Sequence, residues 1–505
     1  MALEVEIIGA ILRKISSDTK FPKKTFSSKY KSFLLPLPKF ALAMNKLLVL
    51  YRLYRYEFIE TIKFSIPIII AQLGVILMGV IDIMMIRDLG VVATAAAGAT
   101  NDIFFLVSML SIGSMNIIAP LISQYFQKEN AAECKKTLIS GMILALALGT
   151  LTMGVIELIL LNFDLLGQTP LVSIEAKKFL SVLNWSVLPI LGFLACKQFT
   201  DGLSLTKVAM TLTWVGLLTN TFLNWLLIYG NLGFPAMGLE GAGIATTLAR
   251  GMMLVLILIF IFSNQTTRKI ILTPLGTYFE AKSVWKVFRL GLPVGLTYFL
   301  EIAAFSVAGL LIGNIDHYSQ AAHRVVITLV STTYMITSGI GIASAIRIGK
   351  VYAERNIPKI RKMGSAALLA AILIMGVFCV IFLSIPEILV IPLIENDPQA
   401  VPIAISLLII GGVFQISDGV QAVGLGVLRG MEDVNIPTLI ALVAYWVIAL
   451  PLSFLSHQQG WGAWGIWVAL LLGLSTSALL LSYRFFNLLR TQQRKLLTKK
   501  IQTSR

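Results

Sequence analysis

The sequence predicts an all-α integral membrane protein, with twelve transmembrane helices arranged as two parallel six-helix repeats. Three observations carry that prediction: an apolar composition, an internal duplication, and a one-sided placement of lysine and arginine. Apolar residues make up 57% of the 505 and charged residues only 13%, against about 25% charged in an ordinary soluble domain. A soluble chain of this length would need far more polar surface to enclose its core. Shifted along itself by roughly 226 positions, the chain aligns without a gap over two long segments. Pro67 meets Pro293, Gly113 meets Gly339, Ala119 meets Ala345, Asn130 meets Asn356 and Lys136 meets Lys362. Duplication inside so apolar a chain is a common layout of secondary transporters, with the substrate path at the repeat interface.

Twelve apolar runs are long enough to cross about 30 Å of hydrocarbon as helices. In the first half they fall at 62–86, 96–122, 138–162, 178–199, 208–229 and 239–262. In the second half they fall at 286–312, 324–346, 364–385, 402–428, 436–455 and 463–486. Segments of this length exclude an outer-membrane barrel, whose strands need only about ten alternating residues.

Lysine and arginine gather on one set of loops: Lys128 to Lys136, Lys197 and Lys207, Arg268 to Arg289, Arg347 to Lys362, Arg429, and a C-terminal tail through Lys500. The alternate loops are short or acidic, as at Asn231–Gly238, Glu395–Asp397 and His457–Trp461. The positive-inside rule then puts both termini in the cytoplasm of a cell whose inner (plasma) membrane holds the chain. Six spans per half is an even number, so both halves enter the membrane in one direction and are parallel repeats. The resulting division is a basic N-terminal tail at 1–56, an N-lobe at 57–262, a cytoplasmic linker at 263–285, a C-lobe at 286–486 and a basic tail at 487–505.

The net charge of +16 raises nucleic acid as a partner, but its confinement to loops between apolar runs points to an acidic membrane surface instead. Lysines from Lys20 to Lys39 alternate with Ser and Phe without a sustained helical period. Pro36, Pro38 and Lys39 interrupt what would be a signal-peptide core, and Glu4, Glu6 and Asp18 argue against a transit peptide. A mobile basic tail, or an upstream start with Met44 as the natural one, is the reading. Three cysteines, Cys134 in a charged loop and Cys196 and Cys379 in apolar runs, have no metal-ligand spacing and read as free thiols. His317 and His323 fall in or beside an outer loop and read as solvated. No G-x-x-x-x-G-K-[ST] and no H-E-x-x-H occurs, so the chain reads as no enzyme, with no cofactor, and any pumping runs on an ion gradient.

An ionisable group at mid-membrane costs about 2.5–3.5 kcal/mol on insertion scales and requires a reason. Asp82 in GVIDIMMI, Glu301 in YFLEIAAF and Asp418 in FQISDGVQAV are three such groups. The plain alternative for each is a structural bond to a neighbouring helix. Function is the stronger reading, because none has a basic residue within helical reach. Gln415, Asp418 and Gln421 follow i, i+3, i+6 and share a face, and Asn220 and Asn224 share another. An amide pair is interhelical glue as readily as a ligand. Joined by Asp82 and by the Thr246 hydroxyl, the amide oxygens suit a hard cation or a hydrated proton. Gln415, Gln421 and Tyr298 are the candidate lining of a substrate cavity. Arg250, with no acid on its own face and placed a turn or two from the outer end, reads as a structural salt bridge or interhelical bond. Pro67 and Pro293 are either kink points or N-terminal-turn prolines.

Several segments resemble the multidrug and toxic compound extrusion (MATE) transporters, in their NorM-type branch. They are IPIIIAQLGVILMGVIDIMMI at 66–86, FTDGLSLTKVAM at 199–210 and NTFLNWLLIYGNLGFPAMGLEGAGIATT at 220–247, then FRLGLPVGLTYFLEIAAF at 288–305 and SDGVQAVGLGVLRGMED at 417–433. The likeness covers about residues 57–490 and matches both halves in order. It implies a MATE-type two-lobe fold, acting as a monomer, that exports organic cations in exchange for Na+ or H+. The family's helix 1 aspartate falls on Asp82, its helix 7 glutamate on Glu301 and its helix 10 aspartate on Asp418, each a place where Na+ would bind. Asn220 and Asn224 fall on polar ligands of the N-lobe cation site. A lipid-linked precursor flippase of the same superfamily is the nearest rival, but it would want a cation-rimmed cavity. A non-transporting scaffold would have no use for unpaired acids at equivalent depth in two halves.

Overall fold

The computed structural model describes residues 37–274, 281–394 and 397–503, and the chain divides by its contacts after residue 53. Most of the basic N-terminal tail and its lysine run, part of the 263–285 linker and most of the Glu395–Asp397 loop lie outside the described residues. Within the tail, residues 37–53 are helical, where the sequence shows no sustained period.

Residues 54–505 form one compact unit. Among the described residues, eleven helices are long and apolar enough to cross a membrane, or twelve with one bent pair counted as a span. They are α1 (Tyr54–Arg87), α2 (Val91–Gln127), α3 (Ala131–Leu161), the bent pair α4 (Pro170–Asn184 and Val187–Gly202), α5 (Thr206–Tyr229) and α6 (Gly238–Ser263). The second half repeats them as α7 (Ala281–Gly313), α8 (His317–Ala353), α9 (Ile357–Ser384), α10 (Ala400–Gly430), α11 (Asn435–Gln458) and α12 (Gly462–Thr503). No strand occurs among the described residues.

Several ends differ from the hydropathy reading. The span read at 178–199 is two helices meeting at 41°. The linker carries a short amphipathic helix, Gln265–Leu272, and α7 opens five residues before 286. α12 runs to Thr503, because Leu, Gln, Arg and Lys are good helix formers and continue a helix after its apolar run has ended. Pro293 lies twelve residues inside α7 and Pro67 is likewise internal, so neither is an N-terminal-turn proline.

The duplication is written into the backbone. Glu129 and Arg355 adopt positive φ of 54° and 56°, and each is followed by an asparagine N-cap. Asn130 accepts from the Glu133 amide at 3.0 Å and Asn356 from the Lys359 amide at 3.1 Å. Ser204 and Glu432 form a second positive-φ pair at 69° and 59°. Just before them, Gly202 and Gly430 let helices meet the carbonyls of Ala119 and Ala345, where a Cβ would stand at 2.6 and 2.7 Å. No side chain fits there.

The lobes meet along paired seams. α2 faces α7 at Gly113, where a Cβ would stand 2.8 Å from Tyr298, and α8 faces α1 at Gly339, where it would stand 2.5 Å from Ile69. At the end that carries the basic loops the lobes are tied together. Ser123 donates to the Ile346 carbonyl at 2.7 Å, Lys350 to Ser204 Oγ at 2.6 Å and Gln127 to Glu354 at 3.0 Å. Arg347 pairs with Glu57 at 2.9 Å and also donates to Thr61. The continuous buried stretches Ile117–Ser123 and Thr337–Ile346 lie here, enclosed on every side. Toward the other end, Arg324 on α8 meets Asp102 on α2 at 3.3 Å with side chains 62% and 63% exposed. An exposed ion pair between lobes, well inside two membrane-length helices, places a water-accessible cleft there, since lipid would not tolerate it.

Packing also relocates four charged or polar residues from the loops where the sequence reading puts them. Cys134 is buried inside α3, and all three cysteines are free. Lys197 is buried within α4 and paired with Asp201 at 3.0 Å. His323 is 6% exposed, and its Nδ1 accepts from the Trp467 indole at 3.2 Å, so it is a packed core histidine. Arg429 is 4% exposed. Cys134, Lys197 and His323 lie a turn or two inside their helices and Arg429 in the last turn of its own, each covered by neighbours that hydropathy along the sequence cannot register.

Candidate functional site

In the N-lobe, four of the residues singled out from sequence meet across three helices. Asn224 on α5 donates through Nδ2 to Asp82 Oδ1 on α1 at 2.5 Å, and the same nitrogen lies 3.4 Å from Asn220 Oδ1 one turn earlier. Asn220 Nδ2 in turn donates to Thr246 Oγ1 on α6 at 3.2 Å. Helical i, i+4 spacing puts both amides on one α5 face, and that face is fully buried. Thr246 hands its own proton to the Ala242 carbonyl at 3.0 Å. The Asn224 Oδ1 atom is buried without a hydrogen-bond partner, an uncommon state for a polar atom that calls for an explanation.

Arg250 corrects the sequence picture twice. It stands at the middle of α6, between Gly238 and Ser263, and it interacts electrostatically with Asp82. Asp82 therefore has a cation in reach, contributed by another helix and invisible to spacing on its own. Arg250 also donates to Ser186 Oγ at 2.6 Å and lies 5.0 Å from the Phe104 ring centroid. Ser186 occupies the break in α4, so the bend supplies an acceptor at mid-span.

In the C-lobe, the α10 face of Gln415, Asp418 and Gln421 is buried at all three positions. Gln421 Nε2 donates to Glu301 Oε1 on α7 at 3.0 Å, and the Tyr445 hydroxyl from α11 donates to the same oxygen at 3.1 Å. Gln415 turns instead to Thr333 on α8, at 2.6 Å. Asp418 stands between them, close enough to interact with Glu301, and no hydrogen bond to its carboxylate occurs among the described residues. The Oε1 atoms of Gln415 and Gln421 are buried and unpartnered. Carbonyl oxygens flanking carboxylates are the donor set a hard cation takes.

Tyr298 stands at the α2–α7 seam with Arg429 over its ring at 5.5 Å and donating to its hydroxyl at 3.5 Å. Tyr334 on α8 interacts with Glu301, Tyr298, Asp418 and Arg429 together. Arg429, Tyr334, Thr333 and Tyr445 escaped the sequence reading. Arg429 was hidden by its position at the end of an apolar run, where positive charge ordinarily marks a loop. Tyr445 lies within a π-helical stretch, Leu442–Ala449, and π-bulges inside α-helices recur at functional sites. Its signal was a phenol in the middle of an apolar span.

The two acids do not occupy equivalent depth in the two halves. Under the repeat register Asp82 matches Ala308 and Glu301 matches Val75. Asp82 thus lies seven residues further along its helix, about 10 Å at helical rise.

A family model described as MatE matches residues 67–226 and again 293–455. The chain is 29% identical to the "Multidrug resistance protein NorM" of Aliivibrio fischeri, covering 87% of this chain and 97% of that one. It is 31% identical to the "Probable multidrug resistance protein NorM" of Rhizobium meliloti, over 86% and 94%. Among solved structures it is similar to the crystal structure of a eukaryotic MATE transporter, AtDTX14, with a TM-score of 0.77 at 18% identity over 88% and 99% of the two chains. With both halves matched in order and the fold in agreement, the chain belongs to the MATE family as a NorM-like multi-pass membrane transporter and is not an enzyme.

Proposed function

We propose that this chain is an ion-gradient-driven efflux antiporter that exports organic cations in exchange for Na+ or H+. It would sit in the inner (plasma) membrane with its basic end and both termini in the cytoplasm. The observation that carries the reading is the placement of carboxylates inside membrane-length helices of both lobes. Asp82 and Glu301 accept from the neutral donors Asn224, Gln421 and Tyr445, and Asp418 has no such donor. The multidrug-resistance names of the NorM relatives support the substrate class.

The mechanism follows from what those bonds tie together. Asp82 joins α1 to α5 through Asn224. A proton or Na+ taken up by the carboxylate competes for the oxygen that Asn224 uses, so ion occupancy changes how firmly α1 is held. Glu301 joins α7 to α10 and α11 in the same way. A substrate cation competes with the coupling ion for the same negative charge, and each shifts the lobes toward the state that binds it better. The bonds at the basic end are closed here while the opposite cleft holds the exposed Asp102–Arg324 pair, which fits a conformation ready to release substrate away from the cytoplasm.

Three acids outnumber Arg250 and Arg429 around the two sites, so the interior favours cations over phosphates. Expression in a pump-deficient strain tests this. Resistance to ethidium-like dyes, lost with Asp82→Asn, supports the antiporter. No cation resistance, together with restored export of a lipid-linked sugar in a flippase-deficient strain, would replace it with the flippase reading.

A further inference from the structure

The duplication breaks at one place on the basic end, and the break leaves a cavity. In the N-lobe, Lys135 in the first turns of α3 donates through Nζ to the Thr273 carbonyl at 2.9 Å. That carbonyl closes the linker helix Gln265–Leu272, which packs across α3 and α6 with Thr267 and Ile270 buried beneath it. The chain itself thus covers the N-lobe notch. In the C-lobe, Arg361 takes the place of Lys135 in the repeat register. α12, where the N-lobe has its linker turn, instead continues as helix to Thr503. The corresponding notch between α9 and α12 is an open cavity of about 180 Å³.

Its walls are of two kinds. Ile357, Pro358, Phe486 and Leu489 supply apolar surface, while Arg361 and Arg490 stand at the rim, both exposed. Neither arginine has an ion pair or hydrogen bond among the described residues. Two free guanidiniums and an apolar wall at the level where basic loops meet the bilayer together call for an anion with a hydrocarbon tail. Guanidinium is suited to bidentate phosphate contacts, and an anionic leaflet supplies such phosphates beside juxtamembrane arginine.

We propose that the notch between α9 and α12 binds an anionic phospholipid of the leaflet at the basic end. Its phosphate would lie between Arg361 and Arg490 and an acyl chain against Phe486 and Leu489. The lipid would fill in the C-lobe the place that the linker helix fills in the N-lobe. The assignment of that leaflet to the cytoplasmic side rests on the orientation proposed above, but the binding does not depend on what the protein transports.

The test is native mass spectrometry of the purified full chain titrated with phosphatidylglycerol or phosphatidylcholine. The wild type should retain phosphatidylglycerol with roughly tenfold preference. The double variant R361Q/R490Q should lose that preference, while R268Q on the linker helix should keep it. Both altered arginines are exposed, and an unchanged melting temperature of the lipid-free double variant confirms that it folds. Equal retention of the two lipids by the wild type would overturn the proposal, as would a preference surviving in the double variant. Displacement of phosphatidylglycerol by millimolar inorganic phosphate would overturn it in favour of a free-phosphate site. Because the readout is lipid retention, a negative result leaves the transport reading standing, and a failure of transport leaves the lipid site standing.

Discussion

The two lobes share a scaffold and differ in what they hold. Both carry the same turn conformations, the same asparagine caps and the same glycine approaches. Their polar interiors are nonetheless built differently. The N-lobe has one carboxylate at the end of a relay of amides and a hydroxyl, with Arg250 in electrostatic reach. The C-lobe has two carboxylates, one bonded by an amide and a phenol and the other without such a bond, with Arg429 placed among tyrosines. The lesson is that duplication fixes where helices pass and turn, while the chemistry inside each lobe diverged under it. Ala308 and Val75, standing where the other half has its acid, show that divergence directly.

The comparison is broken most severely at the carboxylates. Asp82→Asn should abolish gradient-driven dye export from cells while leaving the protein inserted and folded, because asparagine still offers Asn224 a carbonyl. Neutralising the C-lobe acids should do less. Glu301→Gln and Asp418→Asn should each weaken ion coupling about tenfold, on the order of 1.4 kcal/mol, measured as the shift in Na+ or proton concentration for half-maximal transport. No shift in either variant would mean that only the N-lobe site couples.

Smaller effects sharpen the shared scaffold. Gly113→Ala and Gly339→Ala place a methyl against Tyr298 and Ile69 at the lobe seams. Each should cost about 1–3 kcal/mol by overpacking, read as a lowered melting temperature in detergent. Gly376→Ala, with nothing within 4 Å, should cost nothing. The smallest effect is expected at the caps. Asn130→Ala and Asn356→Ala should each lose about 1 kcal/mol, and a clear inequality between them would show that the duplicated turns no longer do equal work.

Much of this was legible along the sequence, because hydropathy and helical spacing are local. The span count, the shared faces of Asn220 with Asn224 and of Gln415 with Asp418 and Gln421, and the twin prolines needed no partner to be seen. What escaped depends on a second helix. Arg250 reaches Asp82 from α6, and Tyr445 reaches Glu301 from α11. Arg429 is a loop charge by hydropathy but a buried one by packing. The bend at Trp185–Ser186 is announced by Pro189, which has no N–H for the Trp185 carbonyl, but Ser186 shows its use only when Arg250 arrives.

If Asp82 couples ion movement to substrate movement, reconstituted liposomes will show it. Wild-type and Asp82→Asn protein would be compared in dye transport under an imposed Na+ or pH gradient, and again in downhill dye exchange with no gradient. Wild type should respond to one of the gradients, and the variant should keep downhill exchange but lose all uphill movement. Uphill transport by Asp82→Asn at the wild-type rate would contradict that coupling and leave Asp82 as a structural bond between α1 and α5.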